Sequence, residues 1–75
     1  MDKDVVRKVC NVIQNVLEVE ITNDTHMDDV PEWDSYGQVA ILSALEVAFN
    51  VKLSYNDMVE MDSVESIVNV INKIV

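Results

Sequence analysis

Glu32-Trp33-Asp34-Ser35-Tyr36-Gly37-Gln38-Val39-Ala40-Ile41-Leu42-Ser43-Ala44-Leu45-Glu46-Val47-Ala48-Phe49 is the stretch that decides the fold. Asp34 is a good N-cap, because its carboxylate can accept from the first free backbone N–H groups of a helix. Ser35 is then the first helical residue, and Asn50 stands where a left-handed C-terminal cap falls. The spacing predicts a helix from Ser35 to about Phe49. Ile41, Leu42, Leu45 and Phe49, with Ala48 beside them, form one apolar stripe. Tyr36, Val39 and Val47, with Ser43 between them, fall on roughly the opposite side. A chain of 75 residues cannot enclose a helix completely, so the second stripe reads as a contact surface.

On the N-terminal side the pattern is helical again. Val5, Val9, Val12, Ile13 and Val16 recur on one face between about Lys3 and Leu17, and Val6, Cys10 and Leu17 widen it. These β-branched residues weaken helix propensity, so packing has to supply the stability. Cys10 reads as a small hydrophobe on the core flank, with no histidine or basic cluster near it to activate a thiolate. Residues 18–34 lose the periodicity and collect turn formers: Asn23, Asp24, Thr25, Asp28, Asp29 and Pro31. They form a long acidic loop, with Ile21, Met27, Val30 and Trp33 expected to pin it to the core. His26, the one histidine, is expected to be solvated.

Beyond Phe49, residues Ser54 to Met61 read as one or two helical turns anchored by Met58 and Val59. Asp62 with Glu65 matches a capping box for a last helix from about Ser63 to Ile74. Its core face is Val64, Ile67, Val68, Ile71 and Ile74 or Val75. The expected fold is all-α: a small four-helix bundle of three main helices and one short helix, forming one domain over residues 1–75.

Composition narrows the function. Fourteen acids against five bases give a net charge of −9. Such a surface repels nucleic acid and anionic membranes and favours basic patches on partner proteins. Seven of the acids lie between Glu18 and Asp34, where there is no lysine or arginine. The longest apolar run, Val39 to Leu42, is far short of the roughly 20 residues of a membrane span. No secretory leader is evident, and a single cysteine cannot form an internal disulfide. A cytoplasmic monomer is expected. One glycine excludes a phosphate-binding loop, and one histidine in a loop excludes a catalytic triad. No catalytic residue and no metal site is assigned. The hydroxyl of Ser35 does project where free N–H groups and the helix dipole favour an anion, so a phosphate ester would be stabilised there. An Asp-Ser pair at a helix start is common, and plain capping is its usual explanation when those two residues are taken alone.

Taken whole, the chain resembles the acyl carrier protein family. Trp33-Asp34-Ser35-Tyr36-Gly37 is similar to that family's Asp-Ser-Leu motif, and an amphipathic helix ending Leu45-Glu46-Val47-Ala48-Phe49 follows. The resemblance extends over a valine-rich first helix, an acidic loop, a short third helix and a last helix opening Asp62-Ser63-Val64. It implies that Ser35 is esterified with 4′-phosphopantetheine by a phosphopantetheinyl transferase using coenzyme A and magnesium. Asp34, by similarity, helps to position the magnesium during loading. The arm's thiol then carries an acyl or aminoacyl group as a thioester, so the protein is a carrier and not an enzyme. Tyr36, Val39, Ser43 and Val47, with Glu46, match the face that family members present to loading and transfer enzymes bearing basic patches. Tyr36 replaces the usual leucine. Gly37, Ala40, Val47 and Ala48 stand where carriers of fatty acid synthesis often have acids. The opening looks more like carriers of dedicated pathways (surface polysaccharide, polyketide or peptide-like products), and Ser-aromatic-Gly-x-Val also resembles D-alanyl carrier proteins. The other reading is an unmodified helical adaptor that keeps the fold alone.

Overall fold

A computed structural model describes residues 3–74. Four α-helices occur in the order α1 (Lys3–Leu17), α2 (Ser35–Phe49), α3 (Tyr55–Glu60) and α4 (Val64–Ile74). Among the described residues no strand is present, and the bundle is all-α as the periodicity predicts. α1 packs against α2 and α4, and α3 packs against α4. Val9 and Ile13 from α1, Ile41 and Leu45 from α2, and Ile67, Val68 and Ile71 from α4 meet in a fully buried centre, joined by Met61. Burying each such side chain contributes about 1.5–3 kcal/mol, which offsets the weak helix propensity of the valines.

The connection 18–34 is more ordered than an open loop. Glu18 closes α1 in the left-handed region, φ 58°, with its N–H donating to Gln14 O at 2.8 Å. A single 3₁₀ turn spans Met27–Asp29. Ile21 and Trp33 are buried and Met27 and Val30 half-buried, so all four expected pins reach the core. His26 is half-buried and not simply solvated. Its Nδ1 accepts from Asp28 N at 3.1 Å, capping the 3₁₀ turn, while Nε2 lies 3.6 Å from the Asp62 carboxylate.

That histidine also belongs to an isolated antiparallel bridge with Ser63. Met27 N donates to Asp62 O at 2.9 Å and Val64 N to Thr25 O at 3.1 Å. The bridge keeps Ser63 outside the helix, which starts at Val64, so α4 does not begin under an Asp62 cap. Ser63 takes the cap instead. Its Oγ accepts from Ser66 N at 3.0 Å, and Ser66 Oγ accepts from Ser63 N at 2.9 Å. The reciprocal box is therefore Ser63 with Ser66, not Asp62 with Glu65. Two further expectations fail. Val59 is 64% exposed, and the anchor of the α3 region is Met61, just past its last turn. Ile74 is 40% exposed because the last turn of α4 runs past the core; Val70 is buried in its place, and Val75 lies outside the described residues.

The candidate carrier site at the start of α2

Asp34 caps α2 as its residue type predicts. The backbone is extended there, Oδ1 accepts from Gly37 N at 2.9 Å, and Asp34 O accepts from Gln38 N at 2.8 Å. Those two bonds take the donors of Gly37 and Gln38. The N–H groups of Ser35 and Tyr36 donate to no acceptor among the described residues, as the first turn of a helix requires. Ser35 is exposed, and its hydroxyl makes no hydrogen bond among the described residues. The site therefore offers a free hydroxyl beside unspent backbone donors and the positive end of a 15-residue helix. A phosphodiester on that oxygen fits: nothing has to be displaced to make room for it.

Gly37 is the residue whose role the sequence leaves unread. Its conformation is ordinary helix, yet it is buried against the preceding chain. A Cβ at this position would sit 2.5 Å from Glu32 O and 3.1 Å from Leu17 Cδ2. The first turn of α2 thus lies directly on the backbone of residue 32. The one signal available is that the chain's single glycine stands inside a helical pattern, which argues for close packing. Gly37→Ala should gain about 1 kcal/mol of helix propensity and lose about 1–3 kcal/mol to overpacking, because a backbone oxygen cannot rotate away. The net expectation is a melting temperature lower by about 4–8 °C. A thermal melt at or above the parent's would show that the Glu32 carbonyl yields freely.

Gln38, also unread, crosses from α2 to two other segments. Its Oε1 accepts from Trp33 Nε1 at 2.6 Å, and its Nε2 donates to Met58 O at 2.9 Å and Met61 O at 2.8 Å.

The outer stripe of α2 lies where the wheel places it. Tyr36 is 89% exposed, Val47 83% and Val39 54%, with Ser43 exposed between them. Opposite them Ile41 and Leu45 are fully buried and Leu42, Ala48 and Phe49 half-buried. Lys8 Nζ lies over the Phe49 ring, 4.7 Å from its centroid. Glu46 has a use within the fold: its Oε2 accepts from Leu53 N at 2.9 Å and secures the chain after the Asn50 cap, which has φ 54°. Asp34 and Ser35 stand together at one end of this face, and Glu46 sits on its flank.

Cys10 is half-buried on the α1 flank, its Sγ 3.9 Å from Asn23 Oδ1. Burial pushes its thiol above the usual range, so it stays protonated at neutral pH. It lines a cleft of about 580 Å³ between α1, residues 21–24 and α4, whose walls do not include Ser35. Among the described residues no cluster of three or more histidine, cysteine or acidic side chains could hold a metal ion. Among the described residues no helix is long and apolar enough to cross a membrane.

A family model described as a phosphopantetheine attachment site matches residues 7–71. No curated protein and no solved structure matches the chain. The matched region contains α2, α3 and most of α1 and α4, together with Asp34 and Ser35. The chain belongs to the acyl carrier protein family, whose domains carry 4′-phosphopantetheine as a covalent arm.

Proposed function

We propose that Ser35 is the residue that carries the arm, and that the protein presents acyl or aminoacyl groups to pathway enzymes along the outer face of α2. The observation that carries this reading is the exposed, unbonded Ser35 hydroxyl at the first position of α2, next to free N–H groups. When bound, the arm supplies a terminal thiol for thioester chemistry that the half-buried, protonated Cys10 does not offer. Asp34 keeps the first turn wound, and its second carboxylate oxygen makes no hydrogen bond among the described residues, which suits a passing magnesium ion during loading. The protein's own residues hold and orient; they perform no bond chemistry on the cargo.

Tyr36, Val39, Ser43 and Val47 form the contact face, with a transferase and cargo-handling enzymes as partners. The net charge of −9 favours partners with basic patches, while a nearly uncharged α2 favours the enzymes of a dedicated pathway over those that read an acidic helix. The direct test is to incubate the protein with coenzyme A, magnesium and a broad-specificity transferase. One arm's mass should be added, and peptide mapping should find it on Ser35. No gain, or a gain on another serine, overturns the assignment.

A further inference from the structure

We infer that Gln38 is a positioning residue for loading, a clamp that holds the end of α3 against the turn of α2 that bears Ser35. This rests on the reading of Ser35 as the attachment site.

An amide oxygen can accept two hydrogen bonds and its NH₂ group can donate two; here both donors and one acceptor position are used. The oxygen takes the Trp33 indole N–H at 2.6 Å; the nitrogen serves Met58 O at 2.9 Å and Met61 O at 2.8 Å. Reversing the amide would set nitrogen against an N–H and oxygen against two carbonyls, so the partners determine its orientation. The consequence is twofold. Trp33 and Gln38 flank Ser35 in the chain, and their bond closes a short loop around it. The other two bonds fasten that loop to Met58 on α3 and to Met61 just past its end, 20 and 23 residues away. α3 has only six residues; Met58 O already accepts from Met61 N at 3.1 Å, and Gln38 adds a second donor to that oxygen and a donor to Met61 O, so it reinforces the end of the helix. An enzyme that approaches Ser35 therefore meets the first turn of α2 and the end of α3 in one set relation. Tyr55 and Val59, both strongly exposed on α3, are held in place by the same clamp.

Gln38 makes no bond to Ser35, so its loss should change recognition and leave the chemical step alone. The experiment is steady-state loading of intact variants with coenzyme A and a broad-specificity transferase, well below the melting temperature. Gln38→Met keeps length and removes all three bonds. Its KM for carrier should rise about three- to tenfold with kcat within about twofold. Gln38→Lys restores donors to the two carbonyls at a helix C-terminus, and Trp33→Phe leaves those two bonds intact; both should stay within about twofold of the parent KM. The indole N–H proton resonance should move in Gln38→Met, reporting the broken bond. Should Gln38→Met not fold, Gln38→Glu, which keeps the indole bond and loses both donors, should show the same rise in KM. An unchanged KM, a loss confined to kcat, or an equal loss in Trp33→Phe overturns the inference. Loading of Ser35→Ala would instead overturn the attachment site, whatever the Gln38 variants do.

Discussion

Ser35→Ala should lose loading completely and keep its fold. Ser35 is exposed at the first position of α2, and its hydroxyl bonds to nothing among the described residues. The cap belongs to Asp34, which accepts from Gly37 N and Gln38 N without help from the serine. Alanine at this position should therefore shift stability by no more than about 0.5 kcal/mol. Intact mass after treatment with coenzyme A and transferase should remain that of the bare chain, beside a melting curve that overlays the parent's. Asp34→Ala is the contrasting variant. It leaves the hydroxyl in place and removes the cap, at a cost of about 0.5–2 kcal/mol. Mass gain in Ser35→Ala would mean that a different hydroxyl takes the arm.

The second large effect separates the two faces of α2. Leu45 is fully buried, and Leu45→Ala should lose about 2–5 kcal/mol through transfer and cavity terms together. A domain of this size has only about 4–11 kcal/mol in total, so the variant should be partly unfolded at 37 °C. Val39 is 54% exposed on the opposite face. Val39→Glu puts the new charge in solvent and replaces a β-branched residue with a better helix former, so stability should change by no more than about 0.5 kcal/mol. Loading and cargo transfer should nevertheless fall in Val39→Glu, because the charge interrupts the stripe formed with Tyr36 and Val47. Thermal melts beside loading and transfer rates decide the matter. Equal unfolding of the two variants would mean that α2 is buried on both sides. A stable Val39→Glu with full activity toward every partner would leave the stripe exposed and idle.

What the sequence made legible was local. α1 and α2 could be bounded because a 3.6-residue period runs through Val9, Ile13 and Leu17, and because Asp34 and Asn50 are cap residues with their own chemistry. The start of α4 was ambiguous because Asp62 and Ser63 are both cap formers one residue apart. The bridge to His26, 37 positions away by number, selects between them. Val59 and Ile74 misled for a related reason: in a six-residue helix, or in a last turn, periodicity does not say where the core ends. At the site, Asp34 and Ser35 were readable from cap chemistry and motif. Gly37 and Gln38 were not, because their partners are a backbone oxygen and two carbonyls that only the folded chain brings near.

Glu46 is the single acidic or basic side chain on α2, and the Leu53 N–H already occupies one oxygen of its carboxylate. The acids that give the chain its charge lie before and after the helix, in residues 18–34 and 57–65. If partners dock on α2 as proposed, capture and orientation are thereby separated. The field draws a basic surface toward the molecule from a distance but says little about where along α2 it should land. On the docking face proposed above, registration would follow only on contact with Tyr36, Val39 and Val47. The two stages answer to different variables. At 1 M salt the screening length falls to about 3 Å and encounters become rarer, while the lifetime of a docked pair, set by apolar contact, changes little. Competing enzymes are then ranked by how long they stay and not by how often they arrive.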